Sequence, residues 1–155
     1  MPDIILGAAI GGLIAFFIST PAIIIEMVRR GKVKNLPLVV DVKTFFDLKL
    51  SQFAAFAFGV LLHILMGMVL GGFYPAVADQ GWLNFVGHAY GIISLLVYTI
   101  LVWLVFDLIF FPLFGFGWLG LKEGKTVWLE VLVSLLLIAL LFWLSVPWFQ
   151  PVFFG

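Results

Sequence analysis

Four long apolar runs dominate the chain, each broken by little more than a hydroxyl, an imidazole or a carboxylate. They extend over about Ile4 to Ile25, Gln52 to Tyr74, Leu83 to Phe111 and Thr126 to Phe149. A helix needs roughly 20 apolar residues to cross the hydrocarbon of a bilayer, so each run predicts a transmembrane span. Pro75 and Pro112 are expected to bound the second and third spans, and Pro147 lies near the end of the fourth. The third run is long, and tilt or an interfacial first turn would absorb the excess. The fold class this predicts is all-α: an integral membrane four-helix bundle, one domain over residues 1–155.

The connection between spans one and two, "MVRRGKVKNLPLVVDVKTFFDLKLS", has its own pattern. After Pro37 it places Val39, Val42, Phe46 and Leu50 near one helical face, with Asp41, Thr44 and Asp47 on the other. Lys43 and Asp47 are spaced to pair across one turn. The segment at about 37–50 therefore predicts an amphipathic interfacial helix on the inner leaflet, an anchor or a docking point for a partner. The connection "FPLFGFGWLGLKEGK" is rich in glycine and aromatics. Irregular backbone is not tolerated against lipid, so this segment is expected to form a structural turn or a short re-entrant lid.

Charge adds an orientation. Arg29, Arg30, Lys32, Lys34, Lys43 and Lys49 fall between spans one and two, and Lys122 and Lys125 between spans three and four. Four spans put those two connections on one side, which the positive-inside rule makes cytoplasmic. Both termini and the "AVADQGW" turn then face outward, in a prokaryotic cytoplasmic (inner) membrane. Trp82, Trp118, Trp128, Trp143 and Trp148 suit interfacial belts near span ends.

Composition agrees and excludes several chemistries. The chain is 65% hydrophobic and 10% charged, too apolar for a soluble domain of this size to cover. It has no cysteine, so disulfides, thiolate metal sites and cysteine nucleophiles are excluded. Net charge is zero, and no basic excess points to nucleic acid. The start, "MPDIIL", lacks the basic region of a cleavable signal and predicts a retained first span.

Glycines mark the helix faces. Gly7 and Gly11 form a G-x-x-x-G pair in span one, the spacing that lets another backbone approach closely. Span two carries Ser51, Ala55, Gly59, His63, Gly67 and Gly71 at every fourth position. Each step of four drifts by about 40°, so the row winds around the helix while its centre, Gly59 to Gly67, stays within about 80°. His63 thus lies near mid-membrane on a small-residue ridge expected to face other helices. In "VGHAYGIISLLVY", His88, Gly91 and Ser94 share a face, with His88 one to two turns below the outer surface. Counting from the turn between spans two and three, the histidines differ in depth by roughly 6–9 Å, too far to share one small metal ion. They could flank a larger group: imidazole beside glycine suits axial ligation of a tetrapyrrole, a haem or a chlorophyll-type pigment. The alternatives are an interhelical hydrogen bond or a proton relay.

Three carboxylates lie toward the cytoplasmic span ends: Glu26, Asp107 in "LVFDLIFFP", and Glu130. A charge in hydrocarbon is costly, so these residues should face the bundle, reach headgroups or pair with Arg29 or Arg30. They mark either interfacial ion pairs or an ion or proton pathway. No metalloprotease helix, nucleophile elbow or phosphate-binding glycine loop is present, which leaves no catalytic or metal-ligating set. Ser19, Thr20 and Pro21 predict a kink in span one.

The row from His63 through Gly67 and Gly71 to Tyr74, with "GHAYG" at 87–91 and "FPLFGFGWLG" at 111–120, resembles the YagU-like and related families of small prokaryotic membrane proteins. The segment "LPLVVDVKTFFDLKLSQ" departs from that likeness. The resemblance implies four helices and a bacterial or archaeal inner membrane, and no activity. Three functions fit these residues. The first is a non-enzymatic accessory or structural subunit of a larger membrane assembly, with lipid, membrane-protein partners or further copies of the chain around it. The second is a tetrapyrrole binder using His63 and His88. The third is a small transporter or proton conductor using Asp107 and Glu130.

Overall fold

In the computed structural model, which describes residues 2–29, 44–46, 48–83 and 86–153, four helices are long and apolar enough to cross a membrane. The first two are α1, Pro2–Arg29, and α2, Gln52–Asp79. The third, α3, starts at Ile92, keeps α geometry to Val105, passes through a π-helical turn at Phe106–Phe110 and ends with Phe111–Leu113. The fourth, α4, is Val127–Phe153. This is an all-α four-helix bundle, and Leu70, Leu95, Leu135, Ile138 and Phe142 fill its core. All four helices also expose large apolar side chains, among them Phe17, Leu61, Ile109 and Leu144, as a bilayer environment requires.

The tightest contact joins α1 to α2. A methyl added at Gly7 would overlap the Gly71 carbonyl oxygen, and one at Gly11 the Gly67 carbonyl; the reverse additions would strike Gly7 and Gly11. Pairing Gly7 with Gly71 and Gly11 with Gly67 fixes the helices as antiparallel, held by dispersion and Cα–H···O contacts. Pro75 was expected to end the second span, yet it lies inside α2. Proline removes the amide that would bond the Gly71 carbonyl, and that carbonyl is packed against Gly7 instead. Pro21 is likewise inside α1, where Ser19 and Thr20 donate to the carbonyls of Ala15 and Phe16. On the other side of the bundle α3 packs on α4, and the Trp103 indole N–H donates to the Trp128 carbonyl at 3.0 Å.

At the end of the bundle near Asp3, aromatics seal the interior. Tyr74 is buried, donates to the Ala89 carbonyl and meets the rings of Tyr98 and Phe142 at 5.2 and 6.2 Å. Tyr98 donates to the Val69 carbonyl, and Tyr90 to Asp79 at 3.2 Å. Burial, then the Asp79 carboxylate, holds the Tyr90 phenol above its usual pKa. The expected third span, 83–111, starts late: the described residues before Ile92 are turns. Gly87 has a φ of 125°, and the Ser94 hydroxyl and Gly91 amide both bond the His88 carbonyl, so the helix starts beyond them.

The amphipathic helix expected at 37–50 is also corrected where it can be compared; residues 37–43 and Asp47 lie outside the described residues. Thr44–Phe45 (β1) and Leu48–Lys49 (β2) pair antiparallel as a small hairpin. Aromatic contact outweighs the helical pattern there. Phe45 packs on Phe58 with ring centroids 4.5 Å apart, and Phe46 donates its amide to the Phe114 carbonyl at 3.0 Å. The same bond brings the hairpin to the connection 114–126, so Lys49, Lys122 and Lys125 lie at one end of the bundle. That connection folds into a compact turn, in which Gly120, with a φ of 68°, sits where a Cβ would strike Val127.

Gly11→Ala is expected to cost about 1–3 kcal/mol, because the α2 backbone opposite cannot move aside. Gly12→Ala should cost less, since it meets only the side chains of Met68 and Ile64. Reversible unfolding in detergent micelles measures both, and equal losses would show that the Gly11–Gly67 contact does not hold the pair together.

Candidate functional site

Among the described residues, Nε2 of His63 and both carboxyl oxygens of Asp107 are buried without a hydrogen-bond partner; the Trp103 indole, whose N–H is given to the Trp128 carbonyl, lies beside the Asp107 carboxyl. Asp107 is 0% exposed and His63 only 5%. Buried polar atoms are nearly always bonded to protein, water or an ion, so unmatched ones call for an explanation.

Each owes its place to a local feature of its helix. His63 stands on the winding ridge of α2, about 16 Å along the helix from Gln52. Gly67 and Gly71 on that ridge face α1, and by His63 and Gly59 the drift has carried it round toward α4. There a cavity opens, lined by Gly59, Leu62, His63 and Met66 of α2, Phe111 of α3, and α4 residues including Val131 and Ser134. It leaves about 20 Å³ for water centres, room for one or two waters beside the imidazole. Asp107 lies in the π turn of α3. Such turns insert one extra residue into an α-helix and are frequent at functional sites. Phe111, the α3 residue lining the cavity, follows Asp107 by about one turn, so carboxyl and cavity lie roughly 6 Å apart along the helix.

Both groups can take up and release a proton. An ionised carboxylate without a partner is costly in a dry interior, so Asp107 must be protonated, hydrated or matched by a cation. Among the described residues, no group of three or more His, Cys, Asp or Glu side chains could hold a metal ion.

The other candidate residues lie elsewhere. His88 is exposed in the turn before α3, not one to two turns deep, and does not line the His63 cavity. The glycines invoked to make room for a flat macrocycle are covered, because the α1 backbone occupies the space beside Gly67 and Gly71. Glu130 is exposed on the first turn of α4, where it accepts from Thr126 at 2.7 Å. Glu26 is half-buried near the end of α1. Gly91 caps α3 and meets the His88 carbonyl rather than another helix. Gly59 lines the cavity.

Three features escaped the reading of the sequence. Ser134, the lone hydroxyl in "VLVSLLLIALL", is buried on the face that carries Val131, Leu135 and Ile138, and that spacing was there to be read. Glu123 is buried in the connection before α4, and the sequence reading did not single it out. The π turn leaves no mark in a run as uniformly apolar as "LVFDLIFFP". No protein-family model, curated protein or solved structure matches the chain.

Asp107→Leu is expected to raise the unfolding free energy by about 1–3 kcal/mol, because it removes buried oxygens that lack partners. Unfolding in micelles or bicelles checks this. A comparable loss of stability would mean that the carboxyl has a structural partner.

Proposed function

We propose that the protein is a small multi-pass membrane protein that moves protons through its helix bundle, with Asp107 as the carrying group. The observation that supports this is the fully buried carboxyl of Asp107, unmatched at both oxygens, in the π turn of a membrane-spanning helix. An ionisable residue inside a membrane bundle is costly and is a functional-site candidate by default. A stripped divalent metal ion needs several oxygen ligands, whereas a proton needs one acceptor at a time. His63 is the second station in this reading, beside a cavity with room for water. Glu130, expected from sequence to share the path, faces outward and is left out of it.

The positive-inside rule supports the orientation. With the basic connections in the cytoplasm, the cavity opens nearer that side and the tyrosine cluster lies outside, in an inner membrane of prokaryotic type. An accessory-subunit role would draw on the apolar outer surface, but that surface runs over all four helices, which suits lipid as well as any partner.

The test is proton flux into proteoliposomes under an imposed potential, read by an internal pH dye. The wild-type protein should exceed empty vesicles. Asp107→Asn should lower flux by about tenfold or more, as expected when the carboxyl station of a low-dielectric path is lost. Glu130→Gln should leave it unchanged. Flux equal to empty vesicles, or undiminished in Asp107→Asn, would refute the proposal.

A further inference from the structure

The cavity beside His63 holds a second donor that the proton reading does not use. Met66 lines it, three residues after His63 on α2. Residues three apart on a helix share a face, with Cβ atoms about 5–6 Å apart. Both side chains are buried, His63 at 5% exposure and Met66 at 6%. The imidazole Nε2 is without a hydrogen-bond partner. Apart from the Ser134 hydroxyl, the other described lining residues contribute hydrocarbon and glycine. The cavity thus offers an imidazole nitrogen and a thioether sulfur to whatever enters.

We propose that His63 and Met66 form a binding site for a soft monovalent metal ion, Cu(I), held between Nε2 and the Met66 sulfur. The site goes beyond the proton reading and does not depend on it.

The donor set selects the ion. A thioether is a soft donor that favours Cu(I), and imidazole is a good copper ligand. Cu(I) has a filled d shell and is stable with two ligands, so one histidine and one methionine complete its coordination. Zinc takes four ligands in its structural sites, and calcium and magnesium need a cage of oxygens. No carboxylate is among the described lining residues. The chain has no cysteine, so no thiolate competes for the ion.

Charge points the same way. Both ligands are neutral, and an unbalanced charge in a dry interior is costly. Asp107, about one turn from the lining residue Phe111, can supply the single negative charge that a monovalent ion requires. A divalent ion would leave one charge over. Methionine also fills gaps in hydrocarbon cores, but packing explains neither the unmatched Nε2 nor a cavity left open beside a side chain so well suited to closing one.

The test titrates the purified chain in detergent micelles with Cu(I), kept reduced by ascorbate and buffered by bicinchoninate as competitor. X-ray absorption then reports the atoms around the bound metal. One Cu(I) per chain is expected, with one nitrogen and one sulfur neighbour. Met66→Leu conserves volume and removes only the sulfur. It should weaken binding by about hundredfold or more, and His63→Gln should do the same. Met68→Leu and His88→Ala change an exposed thioether and an exposed imidazole outside the cavity, and should leave binding unchanged. A wild-type chain that loses all Cu(I) to the competitor would overturn the site. So would a bound ion without a sulfur neighbour, affinity undiminished in Met66→Leu, or Zn(II) taken in preference to Cu(I). The wild-type spectrum decides the matter should a variant fail to fold. Cu(I) binding by a chain that carries no protons would leave the metal site standing and remove the proton reading. Proton flux without Cu(I) binding would do the reverse.

Discussion

The bundle depends on the direct contact of two backbones. In lipid the hydrophobic effect does not drive helices together, so close packing must supply the attraction. Gly7 and Gly11 meeting Gly71 and Gly67 supply it for α1 and α2. The same contact explains how a proline is tolerated in α2, because the carbonyl that Pro75 leaves without an amide is covered by Gly7 rather than by lipid. It also sets the phase of α2. Once Gly67 and Gly71 face α1, the drift of the ridge turns His63 and Gly59 toward α4. A single row of small residues thus makes a tight seam in one half of the helix and one wall of a cavity in the other.

Asp107 stands against this economy. Leucine or phenylalanine at that position would continue the apolar character of α3, whereas the carboxyl sits fully buried with neither oxygen matched. The π turn adds a second departure, since it breaks the regular hydrogen-bond ladder of the helix at the same place. Departures from good packing that coincide are more informative than either alone, because ordinary helix stability accounts for neither.

How much of this could be read from the chain follows from what an apolar pattern encodes. Length and hydropathy mark a span well, so all four were legible, and so was the small-residue row on α2. Rotation about the helix axis was not, because a helix apolar all round has no face to read. Glu130 and Asp107 look alike in sequence, one outside and one inside, and only packing separates them. Irregular backbone inside apolar stretches was equally hidden. The described residues Leu83 and Val86 to Gly91 passed for helix because the run they open is apolar enough to be one, and what delays the helix start is the His88 carbonyl taken up by Ser94 and Gly91. The hairpin at 44–49 was misread because alternation over so few residues cannot be told from a helical face, and the contact that decides it, Phe45 on Phe58 and Phe114, is far away in sequence.

The two ends of the bundle differ in how firmly they are closed. Near Asp3, Tyr74, Tyr90 and Tyr98 each donate a hydrogen bond, and Tyr74 lies in the midst of ring contacts that tie α2, α3, α4 and the turn before α3 together. Opening there would break several hydrogen bonds and ring contacts at once. At the other end lie the cavity, the π turn, the unmatched atoms of His63 and Asp107, two strained residues and a hairpin too short to stand alone. Local opening follows the regions with least cooperative support, so exchange of the bundle interior with water should begin at the connection end.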